Sequence, residues 1–195
     1  MSVKRVRCLG AGLLLSYLVG AGAANAAPAC AAPEGPALEL RIVAAALAPD
    51  MDRSLLVHVF DDGCVQLHRP AYRRDAGDFR LELAPAALDS LRRQIDQPAL
   101  RSFDAKRVQA DITAAQRKAT TSDGRAQRYS ELDGDLYELR WRNGAKRGSA
   151  AWSGLPGQAE AWPDNKALQA FHAAASALQA LAERSDAVRI DGGRP

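Results

Sequence analysis

Two alternating segments around Asn143-Gly144 constrain the fold of this chain more than any other feature. Residues 135–142 and 145–152 each alternate between apolar and polar side chains, which is typical of a strand with one buried face. Asn-Gly between two such segments is the strongest short signal for a β-hairpin. A two-residue Asn-Gly turn predicts that Leu139 pairs with Gly148. The buried face of this hairpin then carries Tyr137, Leu139, Trp141, Ala150 and Trp152.

A second hairpin is predicted around Asp61-Asp62-Gly63, between residues 54–60 and 64–69. A three-residue turn that ends in glycine pairs Val59 with Val65. We prefer it to a two-residue Asp-Gly turn, because it places apolar residues opposite apolar residues, and a slip of one residue would invert a whole face. The other face of this hairpin carries His58, Phe60, Cys64, Gln66 and His68.

Helical patterns complete the prediction of the fold. A helix that opens at Pro85 has an apolar stripe of Leu88, Leu91 and Ile95. Asp164 is the predicted cap of a long final helix, whose stripe is Leu168, Phe171, Ala175, Leu178 and Ala182. A weak surface helix is expected over residues 104–118, and an irregular crossover over residues 153–163. We therefore predict an α+β fold, in which an antiparallel sheet of about five to six strands has two helices packed on one face.

The first 26 residues have the pattern of a secretory signal peptide. They begin with three basic residues, Lys4, Arg5 and Arg7. An apolar stretch then runs over residues 8–24, and small residues at Ala24 and Ala26 form a cleavage site. We predict that the chain is cut after Ala26 and exported to the periplasm, with no stable membrane insertion afterwards.

Two alternatives would keep the amino end in a membrane. An uncleaved anchor needs roughly 20 consecutive apolar residues, and this apolar stretch is shorter. A lipid-anchored protein would begin at Cys30, but Pro28 stands in the recognition segment and no leucine-like residue stands three positions before the cysteine. Both observations favour the cleaved form.

Cleavage changes the charge of the chain. The full sequence has 26 basic and 23 acidic residues, which gives a net charge of +3. Because the signal peptide removes three basic residues and no acidic one, the mature chain has no net charge. It lacks the basic character of a nucleic-acid-binding protein, so we predict no nucleic-acid partner.

The mature chain has the size of a single domain. Residues 27–36 form an Ala/Pro-rich leader, residues 37–190 one α+β domain, and residues 191–195 a flexible tail. Cys30 and Cys64 remain after cleavage, and an oxidising compartment favours a disulfide between them. Two unpaired thiols are the alternative, because sequence alone does not show the geometry.

The order of the motifs supports the same compartment. An alternating strand, the Asp62-to-Val65 hairpin, Ala76-Gly77-Asp78-Phe79, residues 133–141, Asn143-Gly144 and a terminal helix follow one another over most of the mature chain. This order resembles a group of uncharacterised secreted proteins of Gram-negative bacteria. The resemblance implies a periplasmic envelope protein without an assigned role, and it identifies no catalytic residue.

No motif indicates catalysis or metal binding. His58, His68 and Cys64 share one hairpin face, but they lack the ligand-pair spacing of a zinc site, and a disulfide would remove Cys64 as a ligand. Ser153 lacks the first glycine of the G-x-S-x-G nucleophile turn. We therefore predict no catalytic residue, no metal and no cofactor.

The polar face of the sheet is the predicted binding surface. It carries arginines of one hairpin and histidines of the other: Arg140, Arg142, Arg147, His58 and His68. Guanidinium groups bind carboxylates and phosphates well, and Phe60 on the same face would need cover from a partner. An ordinary solvated surface is the alternative, because antiparallel sheets commonly leave one face to water.

These observations predict a non-catalytic module of the cell envelope that binds a ligand or a protein. Its expected partner is an unknown envelope protein or a small anionic ligand. The alternative is a small periplasmic hydrolase whose site assembles only in three dimensions, as a pocket lined by histidines and carboxylates.

Overall fold

The computed structural model of the chain describes residue 30 and residues 33–48, 50–123 and 134–192. The predicted signal peptide, half of the predicted leader and the last three residues of the predicted tail lie outside these ranges. Within the described ranges, no helix is long and apolar enough to span a membrane.

Seven strands form one sheet in the order β6-β5-β1-β2-β3-β4-β7, and all neighbours are antiparallel. The strands are β1 (Leu38–Val43), β2 (Ser54–Val59), β3 (Cys64–Arg69), β4 (Gly77–Glu82), β5 (Leu136–Asn143), β6 (Lys146–Ser153) and β7 (Val188–Arg189). The predicted α+β class with an antiparallel sheet is therefore confirmed. The strand that exceeds the predicted number is β7, whose two residues are too few to show an alternating pattern.

The first hairpin has the predicted register. Val59 pairs with Val65 and Val57 with Leu67 across β2 and β3. Gly63 closes the turn with a φ of 89°, a left-handed conformation that glycine adopts without steric cost. The local turn therefore decides the register of this hairpin, as the sequence indicated.

The register predicted for the second hairpin is wrong by two residues. Leu139 pairs with Ala150, and Gly148 lies opposite Trp141 instead. A Cβ at position 148 would collide with the indole ring, so this glycine leaves the space that the ring fills. A slip of two residues keeps every side chain on its predicted face.

Five helices complete the described domain: α1 (Pro85–Ile95), α2 (Pro98–Arg101), α3 (Ala105–Asp123), α4 (Leu155–Ala161) and α5 (Lys166–Ala182). The predicted stripes of α1 and α5 are buried. The irregular crossover predicted over residues 153–163 is wrong, because α4 forms there behind Gly154, which has a left-handed φ of 63°. Helix α3 also continues five residues beyond its predicted end.

The cap of α5 differs from the prediction by one residue. Asn165, not Asp164, is the N-cap, and its side-chain oxygen accepts a hydrogen bond from the backbone N–H of Leu168 at 3.1 Å. Asparagine and aspartate are equally good caps, so residue preference could not decide between these neighbours.

The core lies between the sheet and the helices. Helix α5 contacts β1, β2 and β3, and its Phe171 is fully buried. The ring of Phe103 packs edge-on against Phe171, with ring centroids 5.2 Å apart, and also against Trp152 of β6. Such aromatic pairs contribute about 0.5–1.5 kcal/mol each beyond the area they bury. These contacts fix the helices on one side and leave the other side of the sheet, here called the open face, to polar residues.

Candidate functional site

The predicted disulfide is present and anchors the leader to the sheet. Cys30 is bonded to Cys64, with their Cα atoms 5.9 Å apart. Directly after the leader, Ala37 donates to the carbonyl of Val59 and accepts from the N–H of Arg142, both at 2.8 Å. The disulfide therefore attaches the leader to β3, and Ala37, where the leader joins the domain, connects β2 with β5.

Arg142 holds the leader through its side chain as well. Its guanidinium donates to Glu34 at 2.7 Å, to Asp61 at 2.8 Å and to the carbonyl of Gly35 at 3.3 Å. The side chain is only 11 % exposed. Arg142 thus connects the leader, the turn of the first hairpin and the end of β5, and its charge is already engaged by two carboxylates.

A groove of about 480 Å³ opens on the sheet beside this connection. We call it the arginine groove. Its charged lining residues come from the leader, β1, β5 and β6, and they are Glu34, Glu39, Arg140, Arg142 and Arg147. The lining has three guanidinium groups and two carboxylates, and a third carboxylate, that of Asp61, contacts Arg142 from beside the groove.

Two of these arginines form a like-charge pair. Arg142 and Arg147 lie directly opposite each other on β5 and β6. Like charges in this position destabilise a sheet. The carboxylates of Glu34 and Asp61 neutralise Arg142, whereas Arg147 is exposed and forms no ion pair within the described part of the chain. Arg140 is 65 % exposed, and one carboxylate, that of Glu39, lies 3.3 Å from it.

His58 adjoins the groove through Glu39. These residues pair across β1 and β2, and Nε2 of His58 lies 4.0 Å from the carboxylate of Glu39. Burial lowers the pKa of His58 below its ordinary value, although the nearby carboxylate of Glu39 acts in the opposite direction. Burial therefore favours the neutral form of this imidazole, which adds no positive charge to the groove.

His68 belongs to a separate cluster on the open face. Its Nδ1 lies 2.6 Å from Asp78, and its Nε2 lies 3.0 Å from Asp52. Burial disfavours the charged imidazolium, but the hydrogen bonds to the two aspartates outweigh it and raise the pKa of His68 above its ordinary value. Of the five predicted binding residues, the three arginines share the groove, His58 lies beside it and His68 lies elsewhere.

Sequence reasoning missed the glutamates that accompany these arginines. Glu39 alternates with apolar residues in β1, so its position on the polar face was readable from the sequence. Its contact with Arg140 depends on the pairing of β1 with β5, which are far apart in the chain. Glu34 lies in the leader, where no periodic pattern exists. The sequence therefore predicted the arginines of the groove but not the glutamates that pair with them.

The prediction that Phe60 needs cover from a partner is wrong. Phe60 is only 6 % exposed within the chain itself. Its backbone N–H also bonds the carbonyl of Cys64 at 2.9 Å, which closes the turn of the first hairpin. The case for a binding surface on the open face consequently depends on charge and not on exposed apolar area.

Cys64 is not a metal ligand in this structure, because its sulfur is part of the disulfide. Among the described residues, no group of three histidine, cysteine, aspartate or glutamate side chains is arranged to hold a metal ion.

The fold and the groove define an α+β protein with a charged recess on the exposed side of its sheet. A scan against models of protein families finds no match, and searches of curated proteins and of solved structures find none either.

Proposed function

We propose that this protein is a non-catalytic binding protein of the periplasm and that the arginine groove holds a small ligand with a carboxylate or phosphate group. Arginine binds such groups through two parallel charge-assisted hydrogen bonds. Arg140 and Arg147 are the exposed members of the groove and provide these donors, and Ser149, which also lines the groove, offers a hydroxyl.

The observation that carries the proposal is the cross-strand pair of Arg142 and Arg147. Glu34 and Asp61 already engage Arg142, so a bound anion would pair with Arg147, which forms no ion pair with a described residue. The leader supports this arrangement, because the disulfide and the contacts of Arg142 keep one wall of the groove in place before a ligand arrives. Preorganisation of this kind lowers the entropic cost of binding.

Export to the periplasm has two sources of support. The first is the charge, apolar stretch and small-residue exit of the first 26 residues. The second is the disulfide, because disulfides are stable mainly in oxidising compartments. Intact-mass measurement on a periplasmic extract tests the proposal. The expected mass is that of a chain beginning at Ala27, and a lipid adduct on Cys30 would contradict it.

The hydrolase alternative has less support. Both ring nitrogens of His68 face carboxylates, and in the described segments no hydroxyl or thiol hydrogen-bonds to a histidine. A nucleophile activated by a histidine needs such a contact, although it is often looser in a structure without substrate.

Calorimetric titration of the purified protein with inorganic phosphate and with citrate tests the groove. Arg147→Gln and Arg140→Gln should each weaken binding by about tenfold, because a hydrogen bond to a charged group is lost. Arg93→Gln is the matched control, since Arg93 is an exposed arginine of α1 outside the groove. Equal affinities for Arg147→Gln, Arg140→Gln and Arg93→Gln would exclude the groove as the anion site. If neither anion binds, an acidic segment of an envelope protein becomes the candidate ligand.

A further inference from the structure

A second cleft lies on the helical side of the molecule, between α3 and the corner that joins α4 to α5. We call it the helix cleft. Its volume is about 620 Å³, which falls within the usual range of small-molecule sites. Its lining comes from residues 99–115 and 161–167 and includes no residue of the arginine groove. The helix cleft is therefore independent of the function proposed above.

The floor of the helix cleft is apolar. Val108 and Ile112 of α3 line it and are only 3 % and 4 % exposed. Trp162 lines the opposite wall and packs against the hydrophobic core. Alanines fill the space between them: Ala99, Ala115, Ala161 and Ala167. Because Val108 and Ile112 are already buried, a ligand with an apolar body would displace water mainly from these alanines and from Trp162, and would gain the hydrophobic contribution of that area.

The rim of the helix cleft carries charges of both signs. The acidic residues are Asp104, Asp111 and Asp164, and the basic residues are Arg107 and Lys166. None of the five forms an ion pair with another residue in the described ranges, but the Asp104 carboxylate accepts a hydrogen bond from the backbone N–H of Arg107 at 3.0 Å. The open face differs, because Arg41 and Arg140 each contact a glutamate there. The carboxylates of Asp111 and Asp164 and the cations of Arg107 and Lys166 are thus left available to a ligand.

We propose that the helix cleft binds a short apolar peptide whose two termini are free. The ammonium group of the peptide would meet Asp111 and Asp164, its carboxylate would meet Arg107 and Lys166, and its side chains would cover the apolar floor. A ligand with only one sign of charge would leave half of the rim uncompensated. A zwitterion with an apolar body matches all three parts of the lining.

Tri-leucine with free termini is the probe. Its binding is measured by calorimetry on the unmodified protein. It is also measured by the fluorescence of Trp162 in a variant that carries Trp141→Phe and Trp152→Phe. N-acetylated tri-leucine and tri-leucine amide should each bind about tenfold more weakly, since each lacks one terminal charge. Tri-glycine should bind more weakly still, because it lacks the apolar side chains.

Variants at exposed positions assign the site. Arg107→Gln should weaken tri-leucine binding about tenfold and leave the affinity for tri-leucine amide unchanged. Lys106→Gln is its control, because Lys106 is the preceding exposed residue of α3 and does not line the cleft. Ala161→Phe should block the cleft, whereas Ala173→Phe on the exposed side of α5 should not.

Several outcomes would overturn the proposal. Absence of binding by tri-leucine is one. Equal affinities for the free and the capped peptides would show that the rim does not bind the charged termini. Equal affinities for Ala161→Phe and Ala173→Phe would place the peptide elsewhere. Melting temperatures of all variants confirm that they are folded, since exposed substitutions usually change stability by under about 0.5 kcal/mol.

Discussion

His68 on β3 lies directly opposite Asp78 on β4, and Nδ1 of the histidine is 2.6 Å from the carboxylate. Nε2 of the same ring is 3.0 Å from Asp52, which also accepts the backbone N–H of Ala71 at 3.0 Å. The imidazole of His68 therefore connects β4 with Asp52, which lies in the loop between β1 and β2. Asp52 in turn connects that loop with the loop after β3. When protonated, this imidazole donates to both carboxylates.

The stability of the protein should depend on pH through His68. The two aspartates raise the pKa of this histidine in the folded protein above its ordinary value of 6.5. Its stabilising contribution is then fully present below pH 6.5 and is lost as the pH rises through the folded pKa. Solvent screening of this partly exposed group limits the contribution to under about 1 kcal/mol. Melting temperatures between pH 5 and 9 should show this loss of stability with rising pH in the wild type and not in His68→Gln.

His58 provides the control for this measurement because its shift has the opposite sign. Burial lowers the pKa of His58 in the folded protein below its ordinary value of 6.5. Protonation of this histidine in mild acid therefore opposes folding. His58→Gln should therefore make the protein more resistant to mild acid, and His68→Gln less resistant. If both variants follow the wild-type pH profile, neither histidine is linked to folding.

Arg142 and Arg140 should differ in their effect on stability, although both belong to the same groove. Arg142→Ala removes the donor that joins Glu34, Asp61 and the leader, and should cost about 1–2 kcal/mol. Arg140→Ala removes one exposed contact with Glu39 and should change the free energy of unfolding by under about 0.5 kcal/mol. Urea denaturation measures both values, and similar losses would show that Arg142 does not hold the leader.

The local parts of this fold could be predicted from the sequence. The Asp61-to-Gly63 turn and the stripes of α1 and α5 depend on residues close together in the chain, and all three have the expected form. The second hairpin shows the limit of this reasoning. Its turn dipeptide gave the faces correctly but not the register, which depends on the packing of Trp141 over Gly148.

The parts that failed depend on contacts between distant segments. β1 pairs with both β2 and β5, and no pattern in either strand specifies the second pairing. The contacts of Arg142 with Glu34 and Asp61 follow from that pairing. The sequence therefore could not show that Arg142 is paired with carboxylates while Arg140 and Arg147 are exposed. The helix cleft likewise requires the packing of α3 against the α4–α5 corner.

Gly148 should tolerate no side chain. Gly148→Ala would place a Cβ against the indole ring of Trp141 and force the ring or the strand to move. Overpacking of this kind costs about 1–3 kcal/mol. Ser149→Ala is the control, because Ser149 is exposed on the other face of the same strand. Urea denaturation with fluorescence detection should show a lower midpoint and an altered tryptophan signal for Gly148→Ala alone.

Loss of the disulfide should weaken both the fold and the arginine groove. Cys30 and Cys64 are separated by 34 positions in the chain, and the chain-entropy model gives about 3–4 kcal/mol for a loop of this length. Cys64→Ser, Cys30→Ser and the double variant should be equally destabilised, since each removes the same bond. Because the leader forms one wall of the groove, the double variant should also bind phosphate more weakly than the wild type under conditions where both are folded. Thiol labelling of the oxidised wild type checks that Cys30 and Cys64 are bonded. Two reactive thiols would refute the prediction.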